Sequence, residues 1–486
     1  MRSHILWVTI ALLPTLLTAQ QGTLDPDFDG DGILELAAPI NGFTQFWPRG
    51  MHVRSDMSIL VTGSAKDSTG ANVLVSFRIL EDGTLDTTYG DSGFTATGPA
   101  FYEASYLRSD ERLLIQGRRS LPQSTHLYAL DHNGQPYSGF GLNGAVQFPS
   151  SIKQLTIGVL DPSDRLITCA KDSFEYDPRL VRLTGTGVLD TSFGGGDGLV
   201  PLVWACGDHR YSGAIRMADG RLVFIWDQMS CSPGDTDGWI RTFNADGTVF
   251  SEAELEDVGS VHLCSISDRG NGGYAISGWG TTYAQWKAHW FDADTLTNTY
   301  NFSSIVLPGP LFYTNAVFDG VIDGMGRFVQ VGNVMLRTFQ DGSLDPSFNG
   351  TGLVELSPYL GERVALQPDG KILVLAEAIT GTKHLMRYHA DLSTPVTGRA
   401  QSANGLLIYP NPAADGIQVE LPADIGMKPW SITIRSLDGA DVAPVAPASR
   451  GSGFSIDLGH LANGAYVLSA VREDGMILHG RVLKLD

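Results

Sequence analysis

The sequence predicts an all-β protein made of a seven-bladed β-propeller followed by a small immunoglobulin-like β-sandwich. The chain holds 57 glycines and only 18% charged residues, which suits many short strands joined by tight turns. Two hairpin signals recur with a period of about fifty residues, as expected for blades stacked around an axis. Beyond residue 404, shorter alternating segments are separated by Pro and Gly turns, which is typical of a small sandwich.

The first residues predict a secretory signal peptide over residues 1–19. Arg2 and His4 precede an apolar run from Ile5 to Leu17, and Ala19 stands before a polar mature sequence. About 13 apolar residues are too few to span a bilayer comfortably, so an uncleaved anchor is the weaker alternative. We expect cleavage after Ala19 and no transmembrane segment in the mature chain.

The formal net charge of −20 argues against one class of partner. A nucleic-acid-binding protein needs a clustered positive field to neutralise phosphates. We therefore expect no nucleic-acid partner.

The first repeated signal is a turn followed by a strand, and it occurs seven times. The copies are SDMSILVTG at 55, SDERLLIQG at 109, SDRLITCA at 163, ADGRLVFIW at 218, GNGGYAISG at 270, GMGRFVQVG at 324 and PDGKILVLA at 368. A strand after each turn predicts the inner hairpin of one blade.

The second repeated signal is another hairpin, which gives each unit four strands. Its clearest copies are FRILEDGTLDTTYG at 77, VRLTGTGVLDTSFG at 181 and LRTFQDGSLDPSFNG at 336, and three degraded copies follow residues 128, 241 and 289. Asp-Gly tips supply the positive φ that a two-residue hairpin turn requires. The last unit lacks the outer strand, whereas the chain begins with an orphan copy, GTLDPDFDGDGILEL at 22. We predict that this N-terminal strand closes a ring formed by residues 20–393.

These motifs resemble the delta-60 type of β-propeller repeat, in which GxLDxSFGxxG is followed by a PDGKILVxG strand. The match is closest at Gly187 to Gly198, Gly342 to Gly352 and Pro368 to Val374. The resemblance implies the propeller fold and no established activity.

The segment after a polar linker at 394–404 carries four elements in a fixed order. They are Tyr409, Pro410, Asn411 and Pro412; the LDG at 437–439; the LxxGxYVL element with Gly464 and Tyr466; and the terminal Arg481 to Leu485. Residues 405–486 thereby resemble a type IX secretion sorting domain. The resemblance implies the type IX machinery as a partner and a secreted or cell-surface protein, and the alternative is an ordinary immunoglobulin-like accessory domain.

The loop DPDFDGDGI at 25–33 is a candidate calcium loop, and no other cofactor is expected. Asp27, Asp29 and Asp31 alternate before Gly32, as in the first half of a calcium-binding loop. Ala38 stands where such a loop has its twelfth-position Glu, and the equivalent slot of other repeats is a plain turn. The alternative is an acidic hairpin exit.

Aromatic residues gather in the fourth and fifth units. Trp204 and Trp286, beside Asp208 and His209, form a candidate surface for stacking on a sugar ring or a peptide. The alternative is packing between blades. No catalytic residue is predicted, because GDSG at 90–93 occupies a repeat turn without matching His and Asp context.

Four cysteines lie within one hundred residues of each other in a chain bound for an oxidising compartment. Our preferred disulfide joins Cys206 to Cys231, whose flanking strands bring them to one end of the fourth blade. The alternative joins Cys169 to Cys206 and Cys231 to Cys264.

These features favour a secreted, non-catalytic propeller that binds an extracellular glycan or protein. The alternatives are an extracellular hydrolase or lyase and a structural surface component. Charged residues that converge on the axis with perturbed pKa values would favour the enzyme.

Overall fold

The computed structural model describes two parts of the chain. In the first it describes residues 21–36, 42–120, 123–148, 152, 154–171, 179–202, 209–217, 219–229, 236–255, 261–269, 273–280, 285–291, 303–306 and 317–390. In the C-terminal module it describes residues 400–401, 407–409, 413, 416–420, 430–436, 441–444, 448–450, 453–461, 464–472 and 477–484. The predicted signal peptide lies outside these residues.

The first part is built of seven four-stranded antiparallel sheets, each of which is one blade. Blades 1 to 3 are β2(Gln45–Val53), β3(Ile59–Lys66), β4(Asn72–Ile79), β5(Phe94–Thr97); β6(Phe101–Leu107), β7(Leu113–Ser120), β8(Gln123–Leu130), β9(Ala145–Gln147); and β10(Gln154–Leu160), β11(Leu166–Lys171), β12(Arg179–Leu183), β13(Leu199–Pro201). Blades 4 and 5 are β14(His209–Arg216), β15(Leu222–Met229), β16(Thr236–Phe243), β17(Val249–Leu255); and β18(Val261–Asp268), β19(Tyr274–Gly280), β20(Gln285–Phe291), β21(Ser303–Val306). Blades 6 and 7 are β22(Val317–Ile322), β23(Phe328–Gly332), β24(Val334–Thr338), β25(Leu353–Glu355); and β26(Tyr359–Leu366), β27(Ile372–Ala378), β28(Lys383–Tyr388), β1(Ile33–Leu36).

The innermost strand of every blade contacts the innermost strands of the two neighbouring blades. The sequence of contacts runs β2, β6, β10, β14, β18, β22, β26 and back to β2. The sheets therefore surround one axis, and the prediction of an all-β propeller is confirmed.

The turn chemistry of the repeats explains the hairpins. At the tip of EDG, Gly83 has φ +92°, and its N–H donates to the carbonyl of Leu80 at 3.0 Å. This backbone conformation carries no steric cost for glycine.

A repeated ion pair explains the LDxSFG signature. In blade 3, Arg182 Nε donates to Asp190 Oδ2 at 2.8 Å, while the guanidinium lies over the ring of Phe193, 4.6 Å from its centroid. Ser192 Oγ donates to Asp190 Oδ1 at 2.6 Å, and Arg182 Nη1 donates to the carbonyl of Ala245 in blade 4 at 3.3 Å. The same arrangement recurs at Arg78–Asp86–Tyr89, Arg337–Asp345–Phe348 and Arg387–Asp25–Phe28. The arginine of each set joins its blade to the next one, so the signature is structural and not reactive. We call each Arg–Asp–aromatic set a blade latch.

The N-terminal strand completes blade 7. β1 pairs antiparallel with β28, with Ile33 opposite Met386. Upstream, Gly22 N–H donates to the carbonyl of His389 at 2.7 Å, and Gln21 Oε1 accepts from Arg337 Nη2 at 2.5 Å. Blade 7 is therefore built from both ends of the propeller sequence, and it has four strands like the other six blades.

The C-terminal module consists of two sheets. Their strands are β29(Ala400–Gln401), β30(Leu407–Tyr409), β31(Gly416–Glu420), β35(Gly453–Asp457) and β34(Ala448–Arg450) in one, and β33(Asp441–Pro444), β32(Trp430–Ser436), β36(Gly464–Arg472) and β37(Ile477–Lys484) in the other. Ile417 and Val419 of the first sheet share a core with Ile434 and Leu468 of the second, so the module is a β-sandwich. Ala400–Gln401 pairs with β30, so a short strand lies inside the segment predicted as a linker.

Among the residues that the structure describes, no helix has the length and apolar character needed to cross a membrane.

Candidate axial binding site

A β-bulge interrupts the innermost strand of each blade at the same place. The residues that follow the bulges are Gly50, Ala104, Gly158, Gly213, Ser265, Asp319 and Arg363. Five of them are small, whereas blades 6 and 7 carry charged side chains there. Bulges re-aim side chains and often lie beside functional sites.

A cluster of hydroxyls lies between blades 1 and 2, formed by Thr62, Tyr102 and Ser105 around His52. Ser105 Oγ lies 2.6 Å from His52 Nε2, 2.8 Å from Tyr102 Oη and 2.9 Å from Thr62 Oγ1. The cluster exists because Gly50 has no side chain: a Cβ on Gly50 would lie 2.2 Å from Tyr102 Oη and 2.3 Å from Thr62 Oγ1. We call these four side chains the hydroxyl cluster.

Burial perturbs both titratable members of the hydroxyl cluster. Loss of water lowers the pKa of the His52 imidazole to about 4, so His52 is neutral at neutral pH. Burial also raises the pKa of the Tyr102 phenol, against hydrogen bonds from Ser105 and Thr62 and the charge of Arg363. The Tyr102 hydroxyl therefore stays protonated and can donate a hydrogen bond.

Asp319 of blade 6 and Arg363 of blade 7 form a second polar group on the innermost strands. Asp319 Oδ1 accepts the N–H of Gly320 at 2.9 Å, and Oδ2 accepts the N–H of Val364 at 3.1 Å. Burial raises the pKa of Asp319, while the positive charge of Arg363 opposes that rise. Arg363 thus acts electrostatically on Asp319 and on Tyr102, although Tyr102 lies two blades away. Blades 6, 7, 1 and 2 follow one another around the ring, so these polar groups lie on adjoining blades, and we call this region the axial site.

Further charged side chains border the axial site and pair with each other. Lys383 Nζ lies 2.7 Å from both Glu362 Oε2 and Glu377 Oε2, and Arg118 Nε lies 2.7 Å from Glu103 Oε1. Lys383 is thus shared by two carboxylates, and Arg118 is paired with one.

The structure describes only part of the tryptophan surface predicted from the sequence. Trp204 and Asp208 lie outside the described residues. His209 begins β14 opposite Gln228, and Trp286 of β20 lies opposite Trp279, and only the backbone of these residues is described. Trp226 is fully buried and stacks on Trp239 with ring centroids 6.2 Å apart, so this pair packs the blade core.

The predicted calcium loop lies where the ring closes. Asp31 Oδ1 accepts the N–H of Ile33 at 2.9 Å, and Asp29 takes φ +51° in the turn. Burial and the charge of Asp31 raise the pKa of Asp29. Across the described parts of the chain, no three His, Cys, Asp or Glu side chains form a group that could hold a metal ion. Calcium binding here remains a sequence prediction without a described ligand set.

A cavity of about 480 Å³ lies beside this loop, between blades 7 and 1. Its lining includes Asp27, Asp56, Asp82, Lys371 and Arg387. Lys371 Nζ and Arg387 Nε lie 3.0 and 2.7 Å from Asp25 Oδ2, so both cations are engaged in closing the ring.

The preferred disulfide between Cys206 and Cys231 lies outside the described residues. Cys169 and Cys264 are present as thiols, so neither bond of the alternative, Cys169 to Cys206 and Cys231 to Cys264, is formed in the structure. Cys169 is enclosed in the core shared by blades 3 and 4, and Cys264 occupies the bulge of β18.

In the C-terminal module, the structure covers part of the sorting motif. Tyr409 ends β30, Gly464 begins β36, and Tyr466 is buried in the core between the two sheets. Pro410, Asn411 and Pro412 lie outside the described residues.

Sequence reasoning missed His52, Tyr102, Ser105, Asp319 and Arg363. They lie on the innermost strands, just ahead of the turn that marks each repeat. An alignment of the seven inner strands would have shown a position that is small in five blades and charged in two.

Comparison with known families supports export and the propeller. Residues 407–482 match a family model described as a secretion system C-terminal sorting domain. Residues 319–348 match one described as "Domain of unknown function (DUF5122) beta-propeller". No curated protein matches the chain significantly. The chain therefore carries a sorting domain that directs secretion and attachment to the cell surface through the type IX system.

Several solved structures are remotely similar to the chain. The WD40 β-propeller domain of Doa1 is 14% identical with a TM-score of 0.39, and covers 73% of this chain and 96% of its own. A puromycin-hydrolyzing peptidase of Mycobacterium tuberculosis is 13% identical with a TM-score of 0.42, over 85% of this chain and 64% of the peptidase. A polysaccharide lyase, ulvan lyase, is 9% identical with a TM-score of 0.41, over 72% of this chain and 96% of the lyase. These scores carry no functional argument.

Proposed function

We propose that this exported propeller is a non-catalytic binding protein that holds an extracellular glycan at the axial site. The observation that carries the proposal is the hydroxyl cluster, in which Tyr102, Ser105 and Thr62 meet His52 beside the axis. Sugar hydroxyls both donate and accept hydrogen bonds, and so do Ser, Thr and Tyr hydroxyls and a neutral imidazole. The ring holds these groups on strands rather than on loops, which favours a preorganised site.

Binding is favoured over catalysis because the described residues lack an orienting carboxylate on His52. A Ser–His pair becomes a nucleophile and its base when a third group fixes the imidazole. Ser105 Oγ instead shares its hydrogen-bonding capacity with Tyr102 and Thr62. The pKa of Tyr102 is also raised, which opposes use of its phenolate as a base.

The test uses the full-length protein and a panel of neutral and acidic polysaccharides, measured by affinity electrophoresis. We expect saturable retention by a subset of the panel and at least fivefold weaker retention for Tyr102→Phe, which loses one buried hydrogen-bonding group. Tyr137→Phe is the control, because Tyr137 lies on an outer turn of blade 2, where Arg112 covers its ring. Retention by no polysaccharide, or equal effects of the two variants, would rule out a glycan site at this position. Retention by a matrix protein alone would point to a protein ligand.

A second candidate function, an extracellular hydrolase or lyase, is favoured by the 2.6 Å contact between His52 Nε2 and Ser105 Oγ. The perturbed pKa values of His52 and Asp319 near the axis also belong to the pattern expected of an active site. Incubation of the same polysaccharides with the wild type and with Ser105→Ala separates the two functions. Chain shortening by the wild type, lost in Ser105→Ala, would establish the enzyme. Unchanged chain length with retained binding supports the binding protein.

A further inference from the structure

We infer that Arg363 binds an anionic substituent of the ligand, so that the axial site selects acidic polysaccharides over neutral ones. This inference rests on the proposed glycan-binding function. It adds the chemical class of the ligand and names the residue that would recognise it.

The first observation is the position of Arg363. It follows the bulge in β26, where five of the other six blades have Gly, Ala or Ser. Its side chain is exposed although it belongs to an innermost strand of the ring. The long guanidinium side chain thus replaces a small residue at a place that solvent reaches.

The second observation is the set of contacts that Arg363 makes. Its Nη1 donates to the backbone carbonyl of Glu362 at 2.8 Å. Among the described residues, no carboxylate lies within ion-pair distance of its guanidinium. The neighbouring Asp319 carboxylate accepts two backbone N–H groups instead. In contrast, the arginines of the blade latches, such as Arg182 and Arg337, are buried and held by aspartates.

The third observation concerns the carboxylate next to Arg363 in the chain. Glu362 is engaged by Lys383 at 2.7 Å, so it is paired with another cation. Arg363 is therefore a cation with donors still available, and its strand β26 packs beside β2, which carries His52 of the hydroxyl cluster. A planar guanidinium matches the geometry of a carboxylate or a sulfate, and it can form two parallel hydrogen bonds to either.

Because the protein is acidic overall, selectivity for an acidic polymer depends on the contact with Arg363. With a formal charge of −20, the molecule as a whole repels an acidic polymer. Preference for an acidic polymer over a neutral polymer of the same backbone must then arise from a local cation.

The experiment compares polymers that share a backbone and differ in charge. The full-length protein is titrated with fully methyl-esterified and de-esterified polygalacturonan, and with dextran and dextran sulfate. We expect the charged member of at least one pair to bind at least tenfold more tightly. Arg363→Gln should remove about tenfold of that preference, since a charge-assisted hydrogen bond contributes about that factor. Preference in the first pair identifies a carboxylate as the group bound, and preference in the second identifies a sulfate.

Arg112→Gln is the matched control, because Arg112 lies in the turn between β6 and β7, where it covers the ring of Tyr137 and pairs with Asp110 at 2.8 Å. It should keep the preference for the charged polymer. Equal binding of neutral and charged polymers, or an unchanged preference in Arg363→Gln, overturns the inference and leaves glycan binding standing. Retention by none of the four polymers overturns both. Because Arg363 is exposed, we expect its variant to unfold at the wild-type temperature, so that loss of binding reports on the contact.

Discussion

Arg387 Nε lies 2.7 Å from Asp25 Oδ2, and this ion pair joins the last strand of the propeller to the first residues of the described chain. Both side chains are almost completely buried. Arg387 also donates from Nη1 to the carbonyl of Glu81 in blade 1. One pair thus links β28, the N-terminal segment and the first blade at the point where the ring closes.

Replacement of Asp25 by Asn should strongly destabilise the protein, because it leaves the buried Arg387 guanidinium without its counter-charge. Loss of one partner of a buried ion pair costs about 3–5 kcal/mol. Urea denaturation monitored by tryptophan fluorescence measures the change. Asp27→Asn is the control, because Asp27 is exposed two residues away and should change the free energy of unfolding by less than about 0.5 kcal/mol. Equal stability of the two variants would show that the pair does not hold the ring closed.

The same pair predicts a dependence of stability on acid. Burial alone would raise the pKa of Asp25, but Lys371, the N–H of Asp27 and Arg387 together lower it below its ordinary value of 3.8. The stabilisation is present above pH 3.8 and is lost as the pH falls through the lower pKa of the folded state. The difference in free energy of unfolding between the wild type and Asp25→Asn should therefore shrink below about pH 4. A constant difference between the two proteins down to pH 2 would contradict this assignment.

His52 predicts a second pH dependence, at higher pH and with the same sign. Its pKa falls from 6.5 in the unfolded chain to about 4 in the folded protein, because the surrounding protein excludes water. Between these values the unfolded chain binds more protons, so stability falls as the pH is lowered from 6.5 toward 4. Against His52→Gln, the wild type should lose up to about 1.4 kcal/mol per pH unit in this window. An imidazole that titrates near pH 6.5 by NMR in the folded protein would refute the burial argument.

The repeats could be predicted from sequence because their signals are local. Asp-Gly turns and alternating strands depend on neighbouring residues, and the structure adds why LDxSFG recurs: Asp190 and its equivalents hold an arginine that reaches the next blade. Blade 4 keeps the four strands without that motif. There Arg241 pairs with Glu252 of the outer strand. In this blade a different carboxylate thus binds an arginine.

The axial site could not be predicted in the same way, because its members come from blades that are distant in sequence. His52 and Ser105 are 53 residues apart and meet only when β2 and β6 lie side by side. Arg363 lies about 300 residues further along the chain, on β26 of blade 7, which contacts β2 only because the ring is closed. The tryptophans of the fourth and fifth units suggested a binding surface, yet Trp226 and Trp239 stack on each other in the blade core.

Gly50→Ala should disrupt the hydroxyl cluster while leaving the rest of the ring intact. The new Cβ would lie 2.2 Å from Tyr102 Oη and 2.6 Å from Ser105 Oγ, so these hydroxyls must move apart. We expect a destabilisation of about 1–3 kcal/mol, typical of overpacking, together with loss of glycan retention. Gly324→Ala is the matched control, since a Cβ there meets nothing within 4 Å. Full glycan retention by Gly50→Ala would show that the ligand does not use these hydroxyls.

The cysteines give a prediction that is independent of the ligand. We expect the exported protein to contain two thiols, Cys169 and Cys264, and one disulfide between Cys206 and Cys231. Alkylation of the denatured, unreduced protein followed by peptide mass spectrometry counts the thiols and identifies the linked peptides. A disulfide that closes a loop of about 25 residues stabilises by about 3 kcal/mol, so Cys231→Ser should lower the denaturation midpoint under oxidising conditions. The same substitution should have almost no effect in the presence of a reductant. A peptide that links Cys169 to Cys206 would show instead that the alternative pairing is the one formed.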